Sequence, residues 1–119
     1  MKVLITGTSQ GIGMAIAKHF LREGHEVIGI DRQTANVQHK YYRHYQCDVR
    51  DYEKLPDIPS INILINNAGT QNENDIDINL KALIHITEKY GIQEEIHSIL
   101  NIGSASAHTG AEFPEYCAS

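Results

Sequence analysis

Cysteine is scarce: the two residues, Cys47 and Cys117, lie far apart and form no C-x-x-C pair. That excludes a disulfide framework and the usual spacing of a structural zinc site, and leaves free buried thiols as the expectation. Long apolar runs are also missing. Val3-Leu4-Ile5, just before a glycine-rich segment, is too short for the core of a signal peptide, and no stretch could span a bilayer, so a cytoplasmic location follows by default. Clustered basic charge is absent as well. Ten Lys and Arg stand against fifteen Asp and Glu, for a formal net charge of -5, which argues against a nucleic acid or an anionic membrane as partner. The seven histidines are scattered without the spacing that converges on a metal, so no metal site is expected. A small-molecule partner is what these absences leave.

What is present is an ordinary globular composition, 41% hydrophobic and 21% charged, in 119 residues, enough for one domain with a real core. Short β-branched runs alternate with helical patterns, the mark of βαβ units closing into a parallel sheet. Lys2 to Thr6 reads as a first strand. Ile12, Ile16 and Phe20, with Ala15 and Ala17 between them, put an apolar stripe on a first helix that Gly24 can end. Strands follow at Glu26 to Ile30, Tyr41 to Cys47 and Ile61 to Asn66, with a short, partly helical connection from Asp51 to Pro59. Ile76, Leu80, Leu83, Ile84 and Thr87 repeat at helical spacing up to Gly91, and Ser98 to Gly103 reads as a fifth strand.

The first chemical signal is Thr6-Gly7-Thr8-Ser9-Gln10-Gly11-Ile12-Gly13, between the first strand and the first helix. A dinucleotide's diphosphate needs a tight turn free of side chains, open backbone N–H groups and the positive end of a helix behind it. Gly7, Gly11 and Gly13 meet those needs, although three residues separate the first two glycines where the G-x-G-x-x-G pattern has one, and a plain β-to-α turn is the bland alternative. A Walker A loop is ruled out because Ile12-Gly13-Met14 brings no lysine. A flavodoxin-like FMN loop, using the hydroxyls of Thr6, Thr8 and Ser9, stays open as the rival. Asp31 ends the second strand about twenty residues after the turn, where a carboxylate can accept hydrogen bonds from an adenosine ribose diol and repel a 2′-phosphate. No Arg or Lys occurs within Thr8 to Gln10, so NAD is preferred over NADP, with Arg32 able to soften the preference.

Together these residues resemble the short-chain dehydrogenase/reductase family in its compact, one-domain form. Thr6-Gly7-x-x-x-Gly11-Ile12-Gly13 is similar to its cofactor motif, which also draws in Ser9 and Gln10. Asp48-Val49 resembles its adenine-contacting pair. Asn66-Asn67-Ala68-Gly69 matches the element that steadies the central sheet and lines the cofactor. Asn79 resembles the helix asparagine that supports a proton-relay water, Ser104 within Asn101-Ile102-Gly103-Ser104 the catalytic serine, and Tyr116 the catalytic tyrosine. The resemblance runs from Lys2 to Ser119. It implies an α/β fold, a Rossmann-type doubly wound parallel sheet in three α/β/α layers, and hydride transfer between a nicotinamide and an alcohol or carbonyl substrate.

In that chemistry a tyrosine trades a proton with the substrate oxygen, and its pKa of about 10 must be lowered by a nearby cation. The family motif is Tyr-x-x-x-Lys, whereas this sequence stops at Tyr116-Cys117-Ala118-Ser119, one position before the lysine. The resemblance therefore implies a C-terminally incomplete domain with weak or absent turnover as given. The segment between Gly69 and Asn79 is also short for the family. An inactive module that binds NAD(H) without redox chemistry is the alternative of a different class. A fifth strand left as an unpaired edge, or the helix after Asp75, suggests self-association into a homo-oligomer.

Overall fold

The computed structural model describes residues 1–67 and 80–102. Among the described residues five parallel strands make one sheet: β1 (Lys2–Thr6), β2 (Glu26–Asp31), β3 (Tyr42–Gln46), β4 (Ile63–Asn66) and β5 (Ser98–Asn101), in the order β3-β2-β1-β4-β5. Among the same residues two helices cross over, α1 (Gly11–Arg22) between β1 and β2 and α2 (Lys81–Tyr90) between β4 and β5. Burial explains why the middle strands are apolar on both sides. Val3 and Ile5 pack with Val27, Ile65, Ala17 and Leu21 under α1, whereas Leu4, Ile28, Ile30 and Leu64 pack with Ile86 and Tyr90 under α2. The helices thus cover opposite faces, giving the three-layer, doubly wound Rossmann arrangement that the sequence implies.

The connection from β3 to β4 does the work of a missing helix. After a 3₁₀ turn at Tyr52–Lys54, Leu55, Ile58 and Ile61 are buried in the α2-side cluster, and the buried Tyr90 hydroxyl donates to Pro56 O. β4 begins two residues later than expected. Asn62 precedes it as a brace, its Oδ1 accepting from Lys2 N–H at 2.8 Å and its amide donating to Glu95 O at 3.1 Å.

The helices differ from expectation in which face they bury. α1 buries Gly13, Ala17 and Leu21, while Ile16 and Phe20 are only half-buried and Ile12 is 59% exposed. α2 buries Ala82, Ile86 and Tyr90 and leaves Leu80 and Ile84 exposed; Ile76 lies outside the described residues. At the start of α1 the physical reason is close approach: Gly13 and Ala17 occupy the line of contact with the sheet, and the larger Ile12, Ile16 and Phe20 are displaced to its flanks. Gly24, with φ of 87°, ends α1 as expected: its N–H donates to Leu21 O at 3.1 Å and that of His25 to Phe20 O at 3.0 Å. This is a Schellman cap, completed by an edge contact between the Phe20 and His25 rings. Among the described residues no helix is long and apolar enough to cross a membrane.

Candidate cofactor-binding site

Sequential strands build outward from β1 to β2 and β3, and then the chain returns to the other side of β1 with β4. The carboxyl ends of β1 and β4 therefore flank a topological switch point, where open α/β sheets bind ligands. The glycine loop and Asn67 occupy that point. Gly7 turns the chain with φ of 78°, and its N–H donates to Ile30 O at 2.7 Å. Asn67 N–H donates to Thr6 Oγ1 and its side-chain amide donates to Gly7 O, both at 3.0 Å. Asn66, just before it, donates to Asn101 Oδ1 at 3.0 Å and Thr87 Oγ1 at 3.3 Å, which ties β4 to β5 and α2.

The glycines serve different needs. Gly11 has φ of 61° and nothing within 4 Å of the place a Cβ would take, so conformation and open space call for it. Gly13 has no such φ, but a Cβ there would run into Gly7 O and the Asn67 amide, so crowding calls for it. Gln10, exposed and extended, is the N-cap of α1 and makes no side-chain cap bond, and the first turn holds no acidic residue. The N-cap side chain thus gives the first-turn N–H groups no acceptor, and they stand beside an open glycine. A diphosphate, which offers only acceptor oxygens and negative charge, fits that donor set.

Asp31, half-buried at the end of β2, is drawn against this loop. Its Oδ2 accepts from Ser9 N–H at 3.0 Å and its Oδ1 from Gln33 N–H at 2.8 Å. Ser9 is buried with its hydroxyl donating to Thr34 O at 2.9 Å, and the Asn36 amide donates to Ser9 O. Thr8 is fully buried and bonded to the Tyr42 hydroxyl at 2.7 Å. With Thr6 Oγ1 holding Asn67, all three hydroxyls that an FMN loop would use are engaged by the protein. Ser9 accordingly positions the loop through its backbone.

Asp48 and Val49 lie beside Asp31, because Cys47 N–H, at the end of β3, donates to Asp31 O at 2.9 Å. The Asp48 carboxylate is turned to Arg50, whose Nη2 stands 2.6 Å from Oδ2 and whose Nε lies 3.0 Å from Oδ1. Hydrogen bonding from Arg50 holds that carboxyl below the usual range, with the charge of Arg32 adding to the effect. Val49 is half-buried against the α2-side cluster, and Arg32 is exposed. Cys47 is half-buried, not buried as expected, since it sits at a strand end; burial and the charges of Asp51 and Asp48 push its thiol up, away from a reactive thiolate.

Ala68, Gly69, Asn79, Ser104, Tyr116 and Cys117 lie outside the described residues. The structure thus brings together Gly7, Ser9, Gln10, Gly11, Ile12, Gly13, Asp31 and Asn67, with Arg32, Asp48 and Val49 at the neighbouring strand ends. Sequence reasoning missed Asn36, Tyr42 and His44. One signal was available: Gly29, in the middle of an otherwise β-branched strand, marks a close approach, and a Cβ there would run into Tyr42 Oη and Thr8 Oγ1.

Comparison with known proteins shows the family and the fold. The family model described as short chain dehydrogenase matches residues 1–119. NADP-dependent 3-hydroxy acid dehydrogenase YdfG of Escherichia coli (strain K12) is 33% identical over 89% of this chain and 55% of its own length. Human 15-hydroxyprostaglandin dehydrogenase [NAD(+)] is 32% identical over 98% of this chain and 55% of its own. Its alignment, 148 positions long, exceeds the chain's 119 residues, so that relative carries residues between matched segments that this chain lacks. Among solved structures, ligand-free aldohexose dehydrogenase of Thermoplasma acidophilum superposes with a TM-score of 0.81 at 30% identity, covering 98% of this chain and 55% of that one. The chain spans just over half the length of these proteins.

Proposed function

We propose, from the premise that this chain belongs to the short-chain dehydrogenase family, that residues 1–119 form a single dinucleotide-binding domain of a nicotinamide-dependent oxidoreductase. It favours NAD(H) over NADP(H), acts on a small alcohol or carbonyl compound, works in the cytoplasm, and forms a homo-oligomer. The two curated relatives name different cofactors, NADP for one and NAD for the other, so the choice rests on this chain's own residues.

The observation that carries it is the Asp31 carboxylate held against the glycine loop by Ser9 N–H. Gly7, Gly11 and Gly13, with the first-turn N–H groups of α1, would hold the diphosphate. Asp31 would accept from the ribose diol, and its charge would repel a 2′-phosphate. Ile12, exposed at the first turn, together with Asn67, Ala68 and Gly69, would line the cofactor's path; Asp48, Val49 and Arg32 would border the adenine. When bound, the nicotinamide supplies hydride exchange with a carbinol or carbonyl carbon. By resemblance Tyr116 would trade the proton, Ser104 would hold the substrate oxygen, and Asn79 would position a water.

Replacing Asp31 with alanine tests the reading. NADH affinity, followed by cofactor fluorescence, falls by about tenfold, as expected for loss of charge-assisted hydrogen bonds, while NADPH affinity holds or rises. Equal losses for both cofactors, or none for either, would exclude the ribose role of Asp31.

A further inference from the structure

The site contains a closed circuit of hydrogen bonds whose Tyr42–His44 half the cofactor reading does not use. Tyr42 reaches from β3 across β2 at Gly29, where no side chain stands in the way, and its hydroxyl meets the buried Thr8 Oγ1 at 2.7 Å. His44, two residues on, lies with Nδ1 at 2.8 Å from the same hydroxyl and Nε2 at 2.9 Å from Gln33 O. Gln33 N–H donates to Asp31 Oδ1, and Asp31 Oδ2 accepts from Ser9 N–H, next in the chain to Thr8. The circuit therefore runs Thr8, Tyr42, His44, Gln33, Asp31, Ser9 and back to Thr8.

One carbonyl sets its direction. Gln33 O can only accept, so His44 Nε2 carries a hydrogen, and in the neutral imidazole Nδ1 must then accept from Tyr42. Burial raises the Tyr42 pKa, which keeps the phenol a donor. Tyr42 thus gives its hydrogen to His44 and accepts from Thr8. The backbone of Gln33 is gripped at both its N–H and its C=O, and Asp31 cannot swing away from the loop without breaking the circuit. Between them sits Arg32, an exposed cation on the same turn, its carbonyl accepting from Gln46 Nε2 at 3.3 Å.

We infer that Tyr42 and His44 are positioning residues that set the preference for NADH over NADPH, by holding the Asp31-Arg32-Gln33 turn so that the carboxylate and not the guanidinium meets the ribose 2′ position. This rests on the ribose role of Asp31 argued above. Opening the circuit frees the turn, weakens the diol contact and lets Arg32 approach a 2′-phosphate.

The test compares NADH and NADPH dissociation constants for the unaltered protein, Tyr42→Phe, His44→Ala and the double variant. The unaltered protein prefers NADH. Each single variant lowers the ratio of the two affinities by about fivefold, the scale of one net hydrogen bond, and the double variant lowers it no further, because a circuit opens only once. His44→Ala leaves the phenol in place and carries the test if Tyr42→Phe does not fold. A merely structural role would lower the melting temperature and weaken both cofactors in parallel. An unchanged ratio in variants of a protein that prefers NADH overturns the positioning role alone, whereas no NADH preference in the unaltered protein overturns the Asp31 reading and this inference with it.

Discussion

At the scale of single residues the site is built from small side chains for two separate reasons, and the difference can be measured. Gly11 and Gly13 are both glycines of the loop, yet an added methyl finds open space at the first and the Gly7 carbonyl at the second. Gly11→Ala pays for its positive φ alone, about 1–2 kcal/mol. Gly13→Ala must push the first turn of α1 off the loop, on the scale of overpacking, about 1–3 kcal/mol, and moves the diphosphate donors as it does so. Chemical denaturation and NADH titration on both variants are expected to show some stability loss and a loss of affinity beyond about threefold, on the order of 0.6 kcal/mol, for each, with a shift of the first-turn amides of α1 in the cofactor-free protein confined to Gly13→Ala. Equal behaviour would mean that crowding against Gly7 is not what the third glycine serves. The motif glycines were legible in the sequence because each is a demand on the backbone. Tyr42 and His44 were not, since a polar side chain on an edge strand looks solvent-facing until the gap at Gly29 shows where it goes.

At the scale of elements, α1 depends on its ends as much as on its face. Gly24 closes the helix in a left-handed conformation with open space around it, so Gly24→Ala costs only conformational strain, about 1–2 kcal/mol, without altering cofactor affinity. Urea denaturation beside an NADH titration checks both halves, and a loss of binding equal to that of Gly13→Ala would show that the cap positions the site. The strands were readable to within two residues, because a parallel sheet covered on both faces demands uninterrupted apolar runs, as at Val3-Leu4-Ile5 and Ile63-Leu64-Ile65. Helix faces were not. Counting apolar residues favoured Ile12, Ile16 and Phe20, whereas the contact line belongs to Gly13, Ala17 and Leu21. Hydrophobicity alone does not register how closely the helix must lie. Leaving Ile12 exposed has its own logic, because it stands at the first turn, where the proposed cofactor would cover it.

At the scale of the whole molecule, the strand order puts the glycine loop, Asp31 and Asn67 at one end of the sheet, and α1 aims its N-terminus at the same place. Helix-strand alternation was enough to foresee this, since a βαβ unit with a glycine-rich first turn has few other ways to close. The direct measurement is amide chemical-shift mapping by NMR during an NADH titration of the labelled protein. The amides of Gly7, Ser9 to Gly13 and Asp31 to Gln33 should move together and saturate, while Gly24 and the opposite end of the sheet stay still. Saturation without movement of those amides, or no movement anywhere at millimolar NADH, on the order of 4 kcal/mol of binding free energy, would contradict the account.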